Sequence, residues 1–127
     1  MTKDVKIPEN HQRVMLYLVV KDALKFIDFT RNVFGAKETV KVMKDENTIM
    51  HAEVMIGECT ICFADCTDTW EPQPANIFIY AGNADETYIK AIEAGATVIT
   101  ELADQIYGRS GGVKDPFGNT WWITSVI

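Results

Sequence analysis

Two kinds of hydrophobic pattern run along this chain, and they occur twice in the same order. Residues 14–20, "VMLYLVV", are continuously apolar and rich in β-branched side chains, which predicts a strand buried on at least one face. Lys21 and Asp22 break the run. In "ALKFIDFTRNVF", Ala23, Phe26, Ile27, Thr30, Val33 and Phe34 recur at helical spacing. Asp22 is placed to cap this helix and Gly35 to end it. Strands are then expected over "AKETVKVM", "TIMHAEVMI" and "CTICFAD", with turns at Asp45-Glu46-Asn47 and Gly57-Glu58. After the proline-containing stretch "CTDTWEPQPAN" the order starts again. "IFIYA" is a strand, "ETYIKAIEA" a helix with Tyr88, Ala91, Ile92 and Gly95 on one face, and "TVITEL" a strand. "ADQIYGRSGG" leads into a closing hairpin. Its turn, Asp115-Pro116-Phe117-Gly118, suits type I geometry: proline presets φ at the second position and the aspartate accepts backbone N–H groups. Thr120 to Val126 form the last strand.

The expected fold is therefore α+β: two tandem βαβββ modules, with curved sheets around a central cavity and helices outside. The first module spans 13–66, a linker 67–74, and the second module 75–127, all in one domain. Gly35 and Gly95, at the two helix ends, are 60 residues apart (95 − 35). Neither half is expected to be stable alone, because a sheet with one helix leaves its other face bare. A dinucleotide-binding fold is excluded by the lack of a Gly-x-Gly-x-x-Gly turn and of alternating strand and helix.

Charge and composition narrow the partners. The net charge is −6 and the basic residues are scattered, which argues against nucleic acid or an anionic membrane. The longest apolar runs fall short of a membrane span. The polar leader, residues 1–13, lacks an apolar signal core, so a cytoplasmic protein is expected. Cys59, Cys62 and Cys66 do not form a disulfide framework. Cys59 and Cys62 have knuckle spacing, but they lie on a strand, where residues three apart face opposite sides.

The duplicated order, the helix end Phe34-Gly35-Ala36 and the closing "YGRSGGVKDPFGNTWWI" resemble the vicinal oxygen chelate superfamily, which includes glyoxalase I, bleomycin-resistance proteins and extradiol dioxygenases. Within it, His51-Ala52-Glu53 followed by Ile56-Gly57 is most similar to the PhnB-like branch. In metal-using members of the superfamily a His, Glu, His, Glu set comes from strands one, four, five and eight. That pattern falls here on Met15, Cys62, Asn76 and Trp122, none of them a histidine or a carboxylate. The resemblance thus implies no metal at that centre, and no cofactor is expected. His51 and Glu53 lie on one face of a strand. They supply two donors, and a polar strand face, a pocket role and a metal pair all stay open.

The resemblance places Tyr17, Phe78, Tyr80, Trp121 and Trp122 on strands that line the cavity. Alternation sends Trp121 and Trp122 to opposite faces, one to the cavity and one to a helix or partner. Arg109, beside Ser110 and three glycines, is either a contact for an anionic ligand or a solvated loop residue. The expected ligand-binding set is Tyr17, His51, Glu53, Phe78, Tyr80, Arg109, Trp121 and Trp122. No catalytic residue is assigned, and His11, in the polar leader, is given no role. The resemblance implies a small-molecule binding protein without a catalytic metal, forming homodimers whose cavities both chains border. The alternatives are a divalent-metal lyase, isomerase or dioxygenase, and a scaffolding dimer with a vestigial pocket.

Overall fold

The computed structural model describes residues 4–127, so the first three residues of the polar leader lie outside it. The element order is β1 (Leu16–Val20), α1 (Ala23–Phe34), β2 (Lys37–Met43), β3 (Ile49–Ile56), β4 (Cys59–Asp65), β5 (Asn76–Tyr80), α2 (Ala84–Glu93), β6 (Thr97–Gln105), β7 (Gly108–Lys114) and β8 (Thr120–Ser125). The strands form two four-stranded sheets, ordered β1-β4-β3-β2 and β5-β8-β7-β6. In each, the module's first strand runs parallel to its last, and the remaining pairs are antiparallel. The two modules thus share one topology. No helix among the described residues is long and apolar enough to cross a membrane.

Each sheet covers one face with its own helix. Leu18, Val20, Ala52, Val54 and Phe63 of the first sheet are buried with Ala23, Phe26, Ile27 and Val33 of α1. Both helices stop where a glycine with positive φ turns the chain: Gly35 at 67° and Gly95 at 104°. In each case the following alanine bonds back into the last turn, Ala36 N–H to Thr30 O and Ala96 N–H to Ala91 O. The start of α1 differs from expectation. Asp22 sits in the left-handed region with its side chain making no capping bond. Asp65, at the end of β4, takes that role: Oδ1 accepts from Ala23 N–H at 2.8 Å and Oδ2 from Ile49 N–H at 2.6 Å. One carboxylate from the far end of the module therefore ties the helix start to the β3 start.

The closing hairpin stitches the modules together. In the expected type I turn, Gly118 N–H donates to Asp115 O at 3.2 Å. The turn carries Phe117 into α1, edge-on to Phe26 (ring centroids 5.3 Å, 90°) and to Phe29 (6.0 Å, 74°). A second stitch is Phe34 of α1 against Trp121 of β8, at 4.4 Å. The glycine-rich approach is itself a strand, β7, contrary to its low intrinsic preference for extended structure. Its glycines are set by neighbours rather than by turns. A Cβ on Gly112 would lie 2.5 Å from the Trp122 ring, and one on Gly111 would lie 2.8 Å from the Tyr88 ring of α2.

Candidate functional site

The faces turned away from the helices hold the chemistry. On the first sheet the ladder aligns Tyr17 with Cys62, Cys62 with Glu53, and Glu53 with Val40, so one row crosses all four strands. His51 lies one pleat along β3. On the second sheet the corresponding row is Phe78, Trp122, Gly112 and Thr100. Alternation then puts Trp121 on the other face of β8, among the helix-side core.

The first row becomes a site through the leader. Gln12 Nε2 donates to Thr60 O at 2.8 Å, Thr60 N–H donates to Gln12 Oε1 at 3.3 Å, and the Thr60 hydroxyl donates to Asn10 O. These bonds lay the leader across the start of β4 and bring His11 to Glu53, with Nε2 and Oε1 2.7 Å apart. His51 Nε2 holds the other carboxylate oxygen at 2.8 Å, and its Nδ1 lies 3.5 Å from the Tyr17 hydroxyl. The role-free reading of His11 is therefore corrected: it is one of two histidines gripping a buried glutamate. Its signal was illegible because the tether depends on residues 42 or more positions away.

The electrostatics follow from this grip. Burial pushes the Glu53 carboxyl up, but the hydrogen bonds from His51 and His11 together outweigh it and hold the group below its ordinary value. Across the ladder, burial raises the Cys62 thiol, and the Glu53 charge raises it further, which keeps the sulfur protonated. The donor atoms of His51, Glu53 and Cys62 all lie within 4.8 Å of one another.

The superfamily's four-strand metal centre is a separate question, and the residues do not fit it. Cys62 faces Tyr17 across β1, and Trp122 faces Phe78 across β5. A thioether at Met15, an amide at Asn76 and an indole at Trp122 add no charged donor, and the Asn76 Oδ1 is taken by Trp122 Nε1 at 3.2 Å.

The second sheet supplies an aromatic surface. Phe78 meets Tyr80 edge-on at 5.2 Å, and Tyr107, from the β6–β7 turn, approaches Phe78 at 6.2 Å. Trp122 lies beside Phe78 over the space left by Gly112. Tyr107 was not singled out in the sequence because the β6–β7 hairpin itself was not recognised. Phe78, Tyr80 and Tyr107 are each about half exposed or more, at 49%, 65% and 55%. Trp121 is fully buried, its indole N–H donating to Asp115 Oδ2 at 2.8 Å. Arg109 lies on the helix face, where it grips Asp85 through Nε and Nη2 at 2.8 and 3.0 Å and Asp104 through Nη1 at 3.1 Å. These carboxylates hold its guanidinium strongly protonated, and its donors serve the α2 start rather than the aromatic face.

Two clefts border these faces. One, of about 880 Å³, is lined by Tyr17, Val19, Met50, Ala64, Asp65 and the stretch from Thr67 to Trp70. The other, of about 740 Å³, opens between the first strands of the two modules and is lined by Leu16, Phe34, Phe78, Tyr80 and Trp121. Within one chain, Tyr17 and Phe78 thus border different clefts.

The architecture is that of paired βαβββ modules with open sheet faces. The Glyoxalase/Bleomycin resistance protein/Dioxygenase superfamily matches residues 11–123, and the chain belongs to that superfamily. A protein of Mycobacterium bovis is 33% identical over 117 residues, covering 83% of this chain and 77% of its own length. Among solved structures, TioX from Micromonospora sp. ML1 superposes with a TM-score of 0.75 at 19% identity, covering 91% of this chain and 99% of that one. TnmS3, an antibiotic binding protein from Streptomyces sp. CB03234, gives 0.71 at 17% identity, covering 92% and 100%. A PhnB protein from Bacillus cereus gives 0.69 at 15%, covering 91% and 100%. At these identities the structural likenesses establish the fold.

Proposed function

We propose that this protein binds a flat, largely apolar small molecule on the helix-free faces of its sheets, without a catalytic metal at the superfamily's four-strand centre. The observation that supports this most directly is the aromatic group of Phe78, Tyr80, Tyr107 and Trp122 left open beside Gly112. Exposed aromatic rings grouped on one face suit stacking on a planar ligand and are costly to leave in water. The antibiotic-binding relative of the same fold supports the reading at the level of class. A second copy of the chain completes the pocket in this proposal. Tyr17 on the first module, Trp70 in the linker and Tyr80 and Tyr107 on the second module are more than half exposed, as expected of faces that a partner covers.

The test is a fluorescence titration against a panel of planar aromatic and cationic compounds, with sedimentation analysis of the same samples. Wild-type protein is expected to sediment as a dimer and to bind at least one compound. Trp122→Ala is expected to weaken that binding at least tenfold, about 1.4 kcal/mol, with little change in urea stability. A protein that binds nothing in the panel while remaining dimeric would favour a scaffold instead.

A further inference from the structure

We infer that His11, His51, Glu53 and Cys62 form a four-donor site for a borderline divalent transition metal, Zn(II) by its donor set. It would lie on the leader and the first module, taking only Cys62 from the four positions of the superfamily's four-strand centre. Two imidazoles, one carboxylate and one thiol are the donor types that tetrahedral zinc sites use, and no other described cluster of three or more such residues converges this way. The geometry is close to assembled. The donors of His51, Glu53 and Cys62 sit within 4.8 Å of one another, and His11 Nε2 is 2.7 Å from Glu53 Oε1. Ligands at about 2.0–2.3 Å from a zinc ion lie roughly 3.5 Å apart, so the His51, Glu53 and Cys62 donors would draw in slightly on binding, and His11, which already touches Glu53, would swing in to complete the set.

The surroundings have the form of an outer shell. With Nε2 on the metal, His51 keeps Nδ1 facing the Tyr17 hydroxyl, which would fix the ring. His11 is positioned by the Gln12 and Asn10 bonds to Thr60. Cys62 and Glu53 are buried neighbours on adjacent strands, so neither needs to be recruited from solvent. Binding replaces the Cys62 S–H bond with a metal–sulfur bond and sends that proton to solvent. The bound cation would lock the leader onto β3 and β4.

The experiment uses full-length protein dialysed against chelator, with no aromatic compound present, so its outcome is independent of the pocket proposal. Titration with Zn(II) is expected to saturate at one equivalent and to release a proton, read from the dependence of binding heat on buffer. Co(II) in place of Zn(II) is expected to give a thiolate charge-transfer band and the intense visible bands of a tetrahedral ion. Cys62→Ser should abolish the charge-transfer band and weaken Zn(II) binding by at least about 100-fold, the upper end of what outer-shell partners alone are worth. His11→Ala, a change in the leader outside every strand, should weaken it at least tenfold while leaving the circular dichroism unchanged. If Cys62→Ser does not fold, the wild-type cobalt spectrum and His11→Ala still decide. Absence of saturable binding, a cobalt spectrum without sulfur ligation, or affinity unchanged in His11→Ala would overturn the inference.

Discussion

Replacing Trp121 with alanine is expected to lower the unfolding free energy by about 3–5 kcal/mol, the range for emptying a large aromatic site in a core. The indole is fully buried, its ring tilted 37° against Phe34 of the other module with centroids 4.4 Å apart, and its N–H is bonded to Asp115. The substitution would open a cavity where the modules meet and leave a buried carboxylate oxygen short of a donor. Both effects act in the same direction, and Phe34, already packed at the end of α1, is held in place by Phe29. The neighbouring Trp122→Ala removes a ring that is partly open to solvent and lies over glycine, so its cost should be far smaller. Urea denaturation of the two variants side by side checks this. Equal losses would mean that the two faces of β8 had been assigned wrongly.

Asp115→Ala is expected to be comparably damaging, on the order of 3 kcal/mol or more. Its carboxylate accepts four bonds: from the N–H groups of Phe117 and Asn119 through Oδ1, and from Asn119 Nδ2 and Trp121 Nε1 through Oδ2. Alanine strands these donors, and Asn119 and Trp121 are fully buried, so water does not replace the acceptor. Each such orphaned group costs about 1–3 kcal/mol. Burial pushes the carboxyl above its ordinary value even though all four donors oppose the shift. Asp115→Asn keeps one acceptor oxygen and should recover part of the loss. The check is thermal or urea unfolding of both variants, and an alanine variant as stable as wild type would contradict the role assigned to the turn.

Much of this architecture is written locally in the chain. The span Ala23–Phe34 was legible as a helix because its apolar positions follow a 3.6-residue period and a glycine ends it. The β-α-β-β-β order was legible where turns carry their own glycine, asparagine or aspartate signal, as at Asp45–Asn47, Gly57-Glu58 and Asp115–Gly118. What escaped was written elsewhere. β6 was expected to stop at Leu102 but continues to Gln105, and β7 begins at Gly108 in a stretch that reads as loop. There, glycine is required by the Trp122 and Tyr88 rings, and no local preference records that. Asp22 was the natural cap by position, yet Asp65 reaches back from β4 to take the bond. The alternation of Trp121 and Trp122 was predictable, but which of them faced the helix required knowing where α1 packs. His51 and Glu53 were visible as a pair, whereas His11 and Cys62 join them only through the leader tether and the β3–β4 register.

The central claim, that a small molecule binds on the open face of the second sheet, is tested most directly by the indole N–H signals of 15N-labelled protein during titration with a compound that binds. The Trp122 indole, bonded to Asn76 on that face, should move in proportion to occupancy, together with the amides of Ser110 and Gly112. The Trp121 indole N–H, bonded to the buried Asp115 on the opposite face of β8, should move far less than that of Trp122. A binding compound that shifts Trp121 or distant residues and leaves Trp122, Ser110 and Gly112 unmoved would contradict the account.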